Sequence, residues 1–137
     1  MILNLNCTQR RVLLLLQRES VNDIEEISGR LQIPLDIIRN AIETLAEYDV
    51  ITTPDLTVAE ITDIGNSYNL LFDESIDDEL SHLNSCSADV LRYIRETGSK
   101  STPMQSLAVY LNYPEWRISD SLDILENLGY PVRDIII

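Results

Sequence analysis

Apolar residues in this chain recur at helical spacing in two stretches that match one another 80 positions apart. Ile27, Leu31, Pro34, Ile38, Ile42 and Leu45 correspond in order to Leu107, Leu111, Pro114, Ile118, Leu122 and Leu125. Such a repeat decides architecture, so it is read before its parts. In the first copy, Val12, Leu13, Leu15 and Leu16 predict a helix over residues 10–18, with Thr8 as its N-cap. Ile24, Ile27 and Leu31 predict a second helix over residues 23–31. Gln32-Ile33-Pro34 reads as a turn, and a third helix follows over residues 35–48 with Ile38, Ala41, Ile42 and Leu45 inside.

The period then changes. Residues 50–53 predict a strand, Pro54-Asp55 a tight turn, and residues 56–61 a second strand. Thr62-Asp63-Ile64-Gly65 leads into a fourth helix expected to run through Tyr68, Leu71 and Phe72. In the second copy helices are predicted over residues 88–97, 103–111 and 115–128. They are separated by a break at Gly98-Ser99, a cap at Thr102 and a turn at Tyr113-Pro114, and Gly129 is the final stop. Only residues 132–137 remain, enough for one strand. An apolar strand ending in three isoleucines needs a partner, either near the start of its own repeat or in another subunit, and a homodimer is therefore expected.

This order of helices, turn and hairpin resembles the winged helix-turn-helix proteins, the hairpin being the wing. The segment Thr62–Gly65 is similar to the one that leaves the wing in the multiple-antibiotic-resistance regulator class. The resemblance implies a mainly α fold with small β-hairpin wings (α+β) and two tandem winged-helix modules. Residues 1–72 form the first, 73–84 an acidic connector, and 85–137 the second, with a truncated wing. It also implies a DNA-binding transcriptional regulator, with the first module contacting duplex DNA and the second accessory or dimerising.

Charge opposes that implication. The chain carries 23 acids against 10 cations, a formal net charge of -13. Residues 1–72 contribute -6, residues 73–84 contribute -5 and residues 85–137 contribute -2. Such a surface repels DNA unless its arginines gather on one face. The tandem winged-helix proteins of the bacterial chromosome-segregation complex are similar in architecture and also acidic. The alternative function is thus a protein-interaction adaptor or chromosome-organisation factor that does not touch DNA.

At residue level the outward face of the third helix offers Arg39 and Asn40, suited to guanine and adenine edges, beside Asp36 and Glu43. Arg10, Arg11 and Arg30 are the supporting DNA-binding candidates, with Arg18 beside them on the first helix. In the second copy the same face offers Arg117 among Glu115, Asp120 and Asp123. Trp116, beside Tyr110 and Tyr113, reads either as a protein contact or as packing between the repeats. Trp116, Arg117, Tyr113, Ile135 and Ile136 are the interface candidates. Arg92, Arg95 and Lys100 suit salt bridges to neighbouring acids.

No enzyme chemistry is legible. His82, the single histidine, lies in the acidic connector without a nucleophile, and no glycine-rich phosphate loop is present. The acids of 73–79 lack the spacing of a calcium loop and read as a solvated charge run. Cys7 and Cys86 lack CxxC spacing and read as small apolar residues in a reducing compartment. No cofactor, metal or membrane span is expected, and the location expected is cytoplasmic.

Overall fold

A computed structural model describes residues 3–97 and 101–137, with the backbone alone at Leu83. The described residues form a mainly helical α+β fold, with one two-stranded antiparallel hairpin. The expected break at Gly98-Ser99 and the pairing of Lys100 lie outside them.

The first half begins with α1 (Cys7–Arg18), capped by Asn6 rather than Thr8: the Asn6 side chain accepts from the Gln9 N–H at 2.8 Å, and the Gln9 side chain accepts from the Asn6 N–H at 3.0 Å. Next come α2 (Ile24–Leu31), capped by the Asp23 carboxylate, and α3 (Leu35–Glu47), entered through Pro34. Strands β1 (Ile51–Asp55) and β2 (Val58–Ile61) follow. Their turn lies at Leu56-Thr57, later than expected, because the Asp55 carboxylate accepts from both the N–H and the hydroxyl of Thr57, each at 2.7 Å. Pro54 sits inside β1 instead, where the register slips between Thr52 and Asp55, so its missing N–H costs the ladder nothing. The hairpin is tied to the entry of α2: Ile24 donates to the Thr57 carbonyl and Ala59 to the Asn22 carbonyl, each at 2.9 Å.

The fourth helix is shorter than its apolar pattern predicts. α4 (Asp63–Ser67) ends where Tyr68 turns extended, and a single 3₁₀ turn, Leu70–Phe72, carries the chain onward. Tertiary demand explains the break: Leu70 enters the first apolar core and Leu71 the second. Gly65 allows α4 to approach the sheet, because a Cβ there would lie 2.0 Å from the Val50 carbonyl oxygen.

In the second half, α5 (Asp77–Leu83) precedes the trio α6 (Ser85–Glu96), α7 (Met104–Leu111) and α8 (Glu115–Asn127). Backbone details recur 80 positions apart. Gln32 and Asn112 cap α2 and α7 in the left-handed conformation. Asp49 and Gly129 take positive φ after α3 and α8, and Val50 and Tyr130 donate back to Leu45 and Leu125.

The C-terminal segment corrects two expectations. Val132–Asp134 is a 3₁₀ turn, not a strand, and it brings Val132, Ile135 and Ile136 inward together at helical spacing. Ile135 and Ile136 are therefore core residues, not interface residues. Thr102 donates to the Ile135 carbonyl at 2.9 Å and Ile137 to the Thr102 carbonyl at 3.0 Å, so the segment pairs within its own half. The unpaired edge that motivated a homodimer is thereby removed.

The halves meet along α1 and the end of α8. Arg10, expected on a DNA face, is fully buried in this seam. It donates to the carbonyls of Leu128 (2.6 Å) and Leu5, lies 3.5 Å from the buried Asp73 carboxylate, and stacks 5.0 Å from the Tyr130 ring centre. Asp73 in turn accepts from the Leu5 N–H at 2.6 Å and from the Ser75 N–H at 3.1 Å. The segment expected to be a solvated run thus begins with a buried ion pair. Arg95 holds its continuation, donating to the Asp73 carbonyl and the Asp77 carboxylate. Arg18 bridges the seam's rim to Glu126 (2.8 Å) and Asp134 (3.0 Å).

Tyr130 completes the seam by donating to the Asp73 carbonyl at 3.0 Å. Burial pushes its phenol up to about 12, with the Asp73 charge adding to the rise and the Arg10 charge opposing it. The folded state then holds this proton more tightly than the unfolded chain, whose phenol titrates near ~10. Stability from this group is complete below pH ~10 and lost as pH rises toward ~12, by roughly 2–3 kcal/mol. Urea midpoints between pH 8 and 12 are expected to fall for the native chain. Tyr130→Phe should start about 1 kcal/mol lower and decline less; parallel curves would dissociate Tyr130 from the alkaline loss.

Candidate interaction surface

The expected DNA cations do not converge. Arg10 is inside the protein. Arg30, at the end of α2, binds Glu19 at 2.6 Å and Glu26 at 3.2 Å, and the Glu19 hydrogen bond foremost raises its pKa. Arg11 is half-buried and donates to the Leu31 carbonyl at 3.2 Å. Arg39 and Asn40 remain exposed on α3, with Arg39 forming no ion pair among the described residues. Asp36 and Glu43 are exposed on the same helix, and the hairpin tip presents Leu56, 87% exposed, rather than a cation.

Six of the nine arginines are paired with the protein's own carboxylates: Arg10, Arg18, Arg30, Arg92, Arg95 and Arg133. Their charge is already answered. Releasing a surface arginine from its carboxylate costs little, but the freed carboxylate would then face any bound phosphate.

A different surface is assembled on the second half. Trp116 does not pack between the halves; it is 66% exposed at the start of α8. Arg117, next in sequence, lies over the Tyr113 ring with its guanidinium carbon 4.9 Å from the ring centre. The Tyr113 hydroxyl donates to Asp89 on α6 at 2.7 Å, which holds the phenol above its ordinary pKa. One turn further along α6, the Tyr93 ring meets Tyr110 of α7 at 5.0 Å, tilted by 56°. Arg117, Tyr113, Tyr110 and Tyr93 therefore run as a ladder beside α6, with Trp116 next to Arg117 in sequence and Val109 82% exposed on the same helix as Tyr110. Tyr and Trp supply large contact area at small entropic cost, and together with Arg they are the composition of binding anchors.

Tyr93 and Asp89 were missed in the sequence. Their spacing, one helical turn apart on the face flanking Val90 and Ile94, was the available signal. Among the described residues no group of three or more His, Cys, Asp or Glu is placed to hold a metal ion. None of their helices is long and apolar enough to cross a membrane. Cys7 is half-buried and Cys86 buried, both as free thiols. No protein-family model, curated protein or solved structure matches the chain.

Proposed function

We propose that this chain is a non-catalytic, tandem winged-helix interaction module that engages a protein partner and does not read DNA directly. The winged-helix reading is supported by the order of helices and hairpin in the first half. It is also supported by the hairpin's attachment to the residues before α2, and by the left-handed caps recurring 80 positions apart. In the second half the paired C-terminal segment takes the place of the wing.

One observation carries the functional choice: six of the nine arginines are paired with the protein's own carboxylates, while Trp116 stands open beside the tyrosine ladder. Carboxylates surround that ladder, with Glu115 and Asp120 exposed on α8 and Asp89 beneath Tyr113. A basic protein surface is the complementary partner.

The direct test is anisotropy of labelled random-sequence duplex DNA over a salt series. No binding is expected even at ~50 mM salt; a steep loss of affinity with salt would return the chain to the DNA readers. Exposed Arg39, beside exposed Asn40, favours that second reading, and Arg39→Ala would then weaken binding. For the interaction reading, Trp116→Ala and Arg117→Ala should leave the unfolding midpoint within ~0.5 kcal/mol of the native chain, because both positions are exposed. Each should nonetheless remove partner complexes captured by cross-linking in the source cells. Complexes of unchanged composition and yield would count against the ladder.

A further inference from the structure

We infer that a groove along α8, running from Trp116 to the seam, receives a basic amphipathic helix of the partner protein. This inference rests on the interaction reading above. A cleft of about 670 Å³ lies at the seam, floored by Leu5, Ile76, Leu80, Ile124 and Leu128. A second, of about 380 Å³, lies beside Trp116, Asp120 and Ile124. The two adjoin at Asn84 and Ile124, which line both, and together they follow the junction of α5 and α8.

Trp116, Asp120, Ile124 and Leu128 recur every fourth residue and line one edge, over about 18 Å of helix rise. That length matches a partner helix of about three to four turns. Ile124 is 37% exposed at the middle, where an apolar residue of the partner would seat.

Two features select the occupant. The first is charge. Glu79 and Asp120 line the groove, and Glu74 and Asp78 are exposed on the adjoining segment. None of these four forms an ion pair among the described residues, in contrast with Asp73 and Asp77 of the same segment. Of the cations along the groove, Arg10 is paired with Asp73, and Arg117 lies over the Tyr113 ring. A lysine- and arginine-bearing partner therefore meets unanswered carboxylates on both walls. The second is backbone. The groove's walls are α5, α8 and the segments 4–6 and 75–76, none of which is a strand, so they offer an extended peptide no sheet edge to join. A helix satisfies its own backbone and needs only an apolar stripe.

The test uses the full chain and a fluorescein-labelled 14-residue leucine–lysine helix, with a scrambled peptide of equal composition and a leucine–glutamate helix as controls. The leucine–lysine helix is expected to bind about tenfold more tightly than the scrambled peptide, with a blue shift of the single tryptophan, Trp116. Ile124→Ser should weaken it about tenfold, and Glu79→Lys with Asp120→Lys should do the same, each with an unaltered circular dichroism spectrum. No binding at ~50 mM salt, equal binding of the scrambled or acidic peptide, or unchanged affinity in both variants would overturn the groove while leaving the interaction reading intact. Binding of duplex DNA in the parallel salt series would overturn the interaction reading, and this inference with it.

Discussion

Arg10→Met is expected to destabilise the protein by about 3–5 kcal/mol, because it leaves the Asp73 carboxylate buried without its cation. The loss extends beyond one pair. Arg10 also supplies donors to the carbonyls of Leu5 and Leu128, which join the N-terminal segment and the end of α8 to α1. Asp73→Asn should be damaging for the converse reason, since it strands a guanidinium. The double variant should cost less than the sum of the two, because removing both charges removes the penalty of an unmatched one. Urea denaturation of the four proteins measures this coupling. An Arg10→Met variant within ~1 kcal/mol of the native chain would mean that the seam is held by its apolar contacts alone. The same result guards the DNA question, because an Arg10 variant that loses a binding activity would report unfolding rather than a lost phosphate contact.

Gly129→Ala should be comparably severe, at about 2–6 kcal/mol from backbone strain plus overpacking. Gly129 has φ +93°, and a Cβ there would lie 2.3 Å from the Arg10 Cβ and 2.9 Å from the Arg11 nitrogen. The corresponding residue of the first half separates the two causes. Asp49 holds a left-handed conformation, φ 62°, so a side chain is tolerated there when nothing crowds it. Gly129→Asn suits the conformation and still collides with α1. If it matches Gly129→Ala in urea midpoint, close approach is the demand; if it is near native, strain alone required glycine. Asp49→Gly should stay within ~1 kcal/mol of the native chain.

Arg10 shows how far the linear pattern reached. It shares a line on α1 with Leu13 and Leu14, three and four residues on, and both are buried. The stripe therefore marked the position, but the charge of the residue led to a surface reading. What makes burial tolerable is Asp73, which belongs to an acidic run that composition alone assigns to solvent. The C-terminal segment repeats the lesson: Val132, Ile135 and Ile136 have helical rather than alternating spacing, a signal present in the sequence and outweighed by the wing expected there. Trp116 gave no local sign either way. Its exposure was decided by α8 turning Ile118, Leu122 and Leu125 into the core.

The amino-acid sequence by itself determined the two helical trios, the hairpin and the excess of negative charge. Each is written in short-range periodicity, turn chemistry or composition, and so needs no knowledge of distant contacts. The tertiary structure decided which arginines are free, what pairs with the final isoleucines, and which aromatic residues face outward. Those outcomes depend on where a second element places its carboxylates, carbonyls and apolar side chains. The energy of a buried charge is set by that placement, not by the residues beside it in the chain.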